Sequence, residues 1–154
     1  MRIKIINYSS KYAKDFYDLN IEWLQTYFYV EDYDKEVLSN PSTYIIDKGG
    51  QIFFALIEDK VVGTVALMPT SEDAILELTK MAVLKDQRNK KIGQLLLQHC
   101  IEFARSQSLK ALMLYSNTKL ENAIYLYRKY GFKELQLEPG SPYERANIKM
   151  QLDL

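Results

Sequence analysis

The chain has little of what stiffens or cross-links a fold: of 154 residues one is cysteine, one histidine, four are proline and six glycine. A lone Cys100 excludes an internal disulfide and every Cys-rich zinc site, and His99 adds only one more soft ligand. No metal is expected, and a reducing compartment fits. Neither a Gly-x4-Gly-Lys-Ser/Thr phosphate loop nor a Gly-x-Gly-x-x-Gly fingerprint occurs, which removes the usual support for a nucleotide hydrolase or a dinucleotide enzyme. The longest unbroken apolar run, Ile52 to Ile57, falls far short of the ~20 residues needed to cross a bilayer. An excess charge of either sign is also missing, with 20 basic against 20 acidic residues. Whole-surface attraction to nucleic acid or anionic lipid is therefore not expected, and neither is counted as a partner. The opening "MRIKIINYSS" alternates and has no signal-peptide apolar block, so the expected location is cytoplasmic.

What is present is an ordinary globular composition, 47% apolar and 26% charged, enough for one domain over residues 1–154. Ile3, Ile5 and Tyr8 suggest a first strand; Phe16, Leu19, Trp23 and Tyr27 recur at helical spacing, and a shorter helix is expected around Asp34 to Leu38. "QIFFALIEDKVVGTVALM" is two β-rich runs about Glu58, Asp59 and Lys60, a hairpin, and Ala74 to Val83 supplies the next strand. Ile92, Leu95, Leu96, Cys100, Phe103 and Ala104 give a helix its buried face, and Ala111 to Tyr115 reads as a covered strand. Thr118 and Glu121 have the spacing of a capping box for a helix that carries Tyr127 and stops at Gly131; a strand from Ala146 to Leu152 closes the chain. The order predicts a mixed α/β sheet with helices on its faces.

Between the Ala74–Val83 strand and the next helix lies "LKDQRNKKIGQLLL", where Lys85, Arg88, Lys90 and Lys91 face a single acid, Asp86. Cations oppose the positive end of a helix dipole, so this crowding calls for an explanation. A loop feeding a helix also offers unpaired N–H groups, and together with the cations these suit a polyanion, phosphates first among them.

With "ELTKMAV" before it and "LYSNTKLENAIYLYRKYGF" after it, the segment resembles the core of the GNAT N-acetyltransferases. "RNKKIG", Arg88 to Gly93, is similar to that family's Gln/Arg-x-x-Gly-x-Gly/Ala pyrophosphate motif, with Lys91 in place of the first glycine and only Gly93 retained. The resemblance implies a single domain with a mostly antiparallel sheet, acetyl-coenzyme A as cosubstrate and a small-molecule, amino-acid or peptide amine as acceptor. It implies that Arg88, Asn89, Lys90, Lys91, Ile92, Gly93 and Gln94 hold the pyrophosphate. By the same likeness the backbone of Met81, Ala82 and Val83 meets the pantetheine arm, Asn117 and Asn122 hold that arm, and Tyr127 protonates the leaving sulfur. Glu77 falls where several members carry a carboxylate acting through water, and reads either as a general base or as an exposed strand carboxylate.

Other readings stay open. With ordinary helical φ, Lys91 adds a phosphate contact; with positive φ it strains the site. That substitution also leaves a non-catalytic acyl-coenzyme A sensor as the alternative function. Trp23, Tyr27 and Tyr33 either line the acceptor pocket or pack in the core, and "VEDYD" either draws a cationic acceptor or is a solvated turn. Tyr143 and Arg145 either border the acceptor or serve turn geometry. Cys100 and His99, about 100° apart on a helix, make no dyad. A nucleic-acid role for the basic loop is opposed by the zero net charge, and the sequence leaves monomer or homodimer undecided.

Overall fold

Residues 2–154 are described in a computed structural model. Seven strands form one sheet in the order β1-β2-β3-β4-β5-β7-β6: β1 (Lys4–Asn7), β2 (Gln51–Ile57), β3 (Lys60–Pro69), β4 (Ile75–Val83), β5 (Ala111–Ser116), β6 (Lys133–Leu135) and β7 (Ile148–Asp153). Every neighbouring pair is antiparallel except β4 with β5. The four α-helices are α1 (Ala13–Tyr27), α2 (Asp32–Ser39), α3 (Ile92–Ser106) and α4 (Glu121–Lys129). Mixed α/β architecture with a mostly antiparallel sheet is thus observed.

Both faces of the sheet are covered, which is why β3 reads as a continuous apolar run instead of alternating. On one face Phe53, Val65 and Leu78 pack against Ile92, Leu96, Leu97, Cys100 and Ala104 of α3. On the other, Ile52, Phe54 and Ala66 pack against Phe16, Leu19 and Leu24 of α1 and Val37 and Leu38 of α2. Gly63 lets α3 approach: a Cβ there would lie 3.0 Å from Ile92 Cγ2 and 3.1 Å from Leu96 Cδ1.

Local details differ from the sequence pattern in four places. The expected capping box at Thr118 is absent: Leu120 is the N-cap of α4, and Thr118 Oγ1 instead accepts a hydrogen bond from Asn147 Nδ2 at 3.1 Å. A tertiary partner has taken the hydroxyl that a local cap would use. Ala74 adopts positive φ, so β4 begins at Ile75, and β7 begins at Ile148. The hairpin turn is tighter than expected, with Ile57 opposite Lys60 and both Glu58 and Asp59 at positive φ. That is the backbone a two-residue turn needs if it is to follow strand twist.

Candidate active site

β4 and β5 pair only from Ile75–Ala111 to Glu77–Met113, and then separate. β4 also carries a bulge. Thr79 lies opposite Ala66 and Ala82 opposite Thr64, so Lys80 and Met81 together face Val65, with Lys80 at φ 57°. The splay leaves one edge of β4 without a strand partner and opens a cavity of about 940 Å³ between α1, β4, β5, α3 and α4. Among the described residues its lining carries five cations (Lys80, Arg88, Lys91, Lys119, Arg145) and no carboxylate.

At one end the loop after β4 turns into α3. The first helical hydrogen bond runs from Leu95 N–H to the Lys91 carbonyl at 3.1 Å, so the amides of Lys91, Ile92, Gly93 and Gln94 have no helical partner. Asn89 (φ 66°) and Lys91 (φ 64°) are both left-handed, which answers the question of the missing glycine: the position takes positive φ and Lys91 bears the strain. A Cβ on Gly93 would meet only Met81 Sδ, at 3.7 Å, so the face of the helix start is open.

The four cations of this loop divide. Arg88 and Lys91 line the cavity, but Lys85 and Lys90 do not. Lys90 reaches Gln87 Oε1 at 3.3 Å. Arg88 ties the loop to α1 by donating to Glu22 Oε1 at 2.6 Å and to the Val83 carbonyl at 3.1 Å. Lys91 alone of the four is an exposed, lining cation; the backbone amides outnumber it.

The other end is built from buried charge. Asp34 of α2, with no exposed side chain, receives Arg145 through Nη1 to Oδ2 (2.5 Å) and Nη2 to Oδ1 (3.0 Å). Glu31 accepts from the same Nη1 at 2.8 Å. Lys80 Nζ is 3.7 Å from Asp34 Oδ1 and donates to the Tyr143 hydroxyl at 3.1 Å, which in turn donates to Glu77 Oε2 at 3.0 Å. Burial pushes the Glu77 carboxyl above its ordinary range against the pull of Lys80. Burial draws the Lys80 ammonium down against Asp34 and Glu77. Two of the three carboxylates of "VEDYD", Glu31 and Asp34, are thus occupied by Arg145, and Asp32 is exposed.

Of the residues expected at the site, Met81, Ala82, Val83, Arg88, Asn89, Lys91, Ile92, Gly93, Gln94, Asn117, Asn122 and Tyr127 all line this cavity. Lys90 does not, and neither does Glu77, which lines a second cavity beyond Tyr143. Several lining side chains are held from behind. Gln94 Nε2 donates to the Tyr130 hydroxyl at 3.0 Å, and Asn117 Nδ2 to the Arg145 carbonyl at 2.8 Å. Tyr127 packs on Phe132, ring centroids 5.7 Å apart, and burial pushes its phenol up to about 12, so it holds its proton at neutral pH. Trp23 and Tyr27 line the mouth as a tilted aromatic pair 5.3 Å apart; Tyr33 stands outside, near Tyr143. Lys80 and Asp34 escaped the sequence reading, although a lysine inside a nine-residue strand, two residues from Leu78 and from Ala82, was a usable signal. Cys100 is fully buried, its thiol pushed up by burial, and His99 rests edge-on against Phe53.

Comparison with known proteins follows the same geometry. A family model described as an acetyltransferase (GNAT) domain matches residues 48–134. The chain is 33% identical over 105 residues to a probable N-acetyltransferase camello of Xenopus tropicalis, covering 68% of this chain and 48% of that protein. It is 32% identical over 99 residues to an N-acetylaspartate synthetase of the same frog, covering 64% and 36%. It thus spans less than half the length of these curated relatives. Among solved structures, a GNAT-family acetyltransferase from Staphylococcus aureus Mu50 superposes with a TM-score of 0.87 at 25% identity over 99% of both chains. The PaiA N-acetyltransferase of Thermoplasma acidophilum, solved in complex with coenzyme A, superposes with a TM-score of 0.76 at 18% identity over the whole of both chains.

Proposed function

The chain belongs to the GNAT acetyltransferase family, and from that premise we propose that it transfers the acetyl group of acetyl-coenzyme A to a primary amine of a small molecule, amino acid or peptide. The observation that carries this reading is the cavity between the splayed strands, with unpaired amides at one end and a proton-bearing phenol, Tyr127, on its wall.

The residues present fit the donor. The amides of Lys91 to Gln94, the open face at Gly93 and the Lys91 ammonium suit a pyrophosphate. The backbone of Met81, Ala82 and Val83, beside the bulge, suits an extended arm. The bound thioester supplies an activated acetyl group. Tyr127, protonated at neutral pH, supplies a proton to a departing thiolate. Trp23, Tyr27 and Phe28 give the cavity an aromatic wall.

An alkylamine of pKa ~10.4 is neutral in only about one molecule in 2,500 at pH 7, so the acceptor must lose a proton to the protein or arrive with a less basic nitrogen. The amino-acid product in the name of the N-acetylaspartate synthetase relative supports an amino-acid amine among the acceptors.

Two measurements test the reading. Acetyl-coenzyme A should raise the melting temperature at millimolar concentration. Thiol release on mixing with a panel of amino acids, polyamines and peptides should then single out an acceptor. No thermal protection sinks the donor assignment; protection without turnover on any amine makes the protein an acyl-coenzyme A sensor.

A further inference from the structure

Glu77 is placed where a base is wanted, yet it does not line the cavity in which an acceptor would meet the thioester. Tyr143 does. The Tyr143 hydroxyl lies 3.0 Å from Glu77 Oε2, 3.1 Å from Lys80 Nζ and 3.3 Å from Thr79 Oγ1. On its far side Glu77 lines a second cavity, about 720 Å³, whose rim carries exposed Ser71 and Glu72. The Tyr143–Glu77 hydrogen bond therefore crosses the wall between two cavities.

A phenol has one proton to give and can accept two. The Lys80 ammonium can only donate, so its bond to Tyr143 fills one acceptor position. Ionised Glu77 can only accept, so the Tyr143 proton points at it, and the second acceptor position, 3.3 Å from a Thr79 hydroxyl that is free to turn elsewhere, is the one left for an amine proton. Hydrogen-bond directions are thus set by the chemistry of the partners.

Building on the acetyl-transfer reading, we propose that Tyr143 takes the proton of the acceptor amine while passing its own to Glu77, a two-step proton exit from the reaction cavity to the second one. Before the attack an N–H bond of the protonated amine breaks and an O–H bond forms on Tyr143; the second proton, which nitrogen sheds as it bonds to the acetyl carbon, goes by way of Tyr127 to the departing sulfur. The former Tyr143 O–H bond breaks and a new one forms on Glu77 Oε2. One proton moves from nitrogen to carboxylate and nothing else is consumed; Glu77 then yields it to water in the second cavity. Lys80 is a positioning residue, held by Asp34 behind it, and its charge favours electron density on the Tyr143 oxygen.

The groups facing this pair are known from every side. Tyr33 and Asp34 come from α2, Thr79 and Lys80 from β4, Tyr115 from β5 with its ring 5.9 Å from that of Tyr143. Arg145 lies 4.7 Å over the Tyr143 ring, and Glu138 with Lys149 line the second cavity. Burial raises the Glu77 carboxyl, which brings it closer to working pH and makes it a stronger proton acceptor once ionised.

The test has one readout that needs no acceptor. With 13Cζ-labelled tyrosine, the Tyr143 resonance is identified by its loss in Tyr143→Phe. It should move through a single midpoint above the ordinary carboxylate range and stand still in Glu77→Gln. A resonance unmoved between about pH 4 and 8 in the wild type overturns the relay.

The second readout is rate. With the fastest member of a primary alkylamine panel, Tyr143→Phe and Glu77→Gln should each lower kcat/KM about 10²-fold and flatten the acid limb of its pH profile. With hydroxylamine, already uncharged at neutral pH, both should match wild type. Equal losses on the two nucleophiles mean a structural role and overturn the relay. Thermal protection by coenzyme A should be the same in all three proteins; its absence in the wild type defeats the acetyl-coenzyme A reading instead.

Discussion

The two ends of the cavity meet the same problem, holding polar groups away from water, in opposite ways. At the α3 end the polar groups are backbone amides left over by a helix start, and the lining cation Lys91 is exposed. At the Tyr143 end they are side chains: Asp34 and Lys80 are buried, and Arg145, Tyr143 and Glu77 are linked to them in one run of hydrogen bonds and ion pairs. A backbone site depends little on which side chains surround it, so it tolerates Lys91 where a glycine is usual. A buried charge network has no such slack, because each group removed leaves another uncompensated.

The contrast breaks most visibly at Asp34. Asp34→Ala strips two cations, Arg145 and Lys80, of their shared counter-charge, and urea unfolding should show a loss of about 3–5 kcal/mol. A loss under about 1 kcal/mol would mean that Arg145 swings to Glu31 and water without penalty, and that this end is as tolerant as the other.

Next in size is a change that leaves stability alone. Tyr127→Phe removes only a hydroxyl from a ring packed on Phe132, so the melting temperature and the protection by coenzyme A should hold while turnover falls about 10²-fold. Equal turnover in the two proteins would remove Tyr127 from the mechanism.

How much of this could be read in the sequence follows the same division. Elements with a strong period were legible: the α3 face of Ile92, Leu96, Cys100 and Ala104, and the β2–β3 hairpin. So was the amide-rich start of α3, because a loop feeding a helix is a local feature of consecutive residues. The Tyr143 end was not legible, because Asp34, Lys80 and Arg145 are far apart in sequence and only the sheet order and the loop before β7 bring them together. "VEDYD" accordingly read as a solvated or substrate-facing acid patch, when its Asp34 is a buried partner of Arg145. Thr118 failed for the same reason: a local capping pattern lost to Asn147, a partner from the other side of the loop.

A smaller effect tests the tolerant end. Lys91→Gly relieves a left-handed lysine at the cost of a freer unfolded chain, and should stabilise the fold by about 0.5–1 kcal/mol. Coenzyme A affinity should fall only slightly, since the four amides remain and one exposed cation is lost. If affinity collapses while stability rises, the side chain and not the backbone holds the pyrophosphate, and the contrast between the two ends is weaker than drawn.

The smallest effect is a matter of sign. Burial raises the Glu77 carboxyl in the folded protein, so the folded state binds a proton more tightly than the unfolded one. The stability this gives is fully present below the unfolded carboxylate pKa of about 4.3 and is lost as pH rises through the higher folded value. Glu77→Gln keeps an acceptor for the Tyr143 hydroxyl and cannot ionise, so it escapes that loss. Relative to wild type the variant should gain stability from acid to neutral pH and then level off, measured as the difference in urea midpoints across the range. A difference that does not change with pH would mean that Lys80 and Arg145 already cancel the cost of burying the carboxylate, and the midpoint expected for the Tyr143 resonance would drop into the ordinary range.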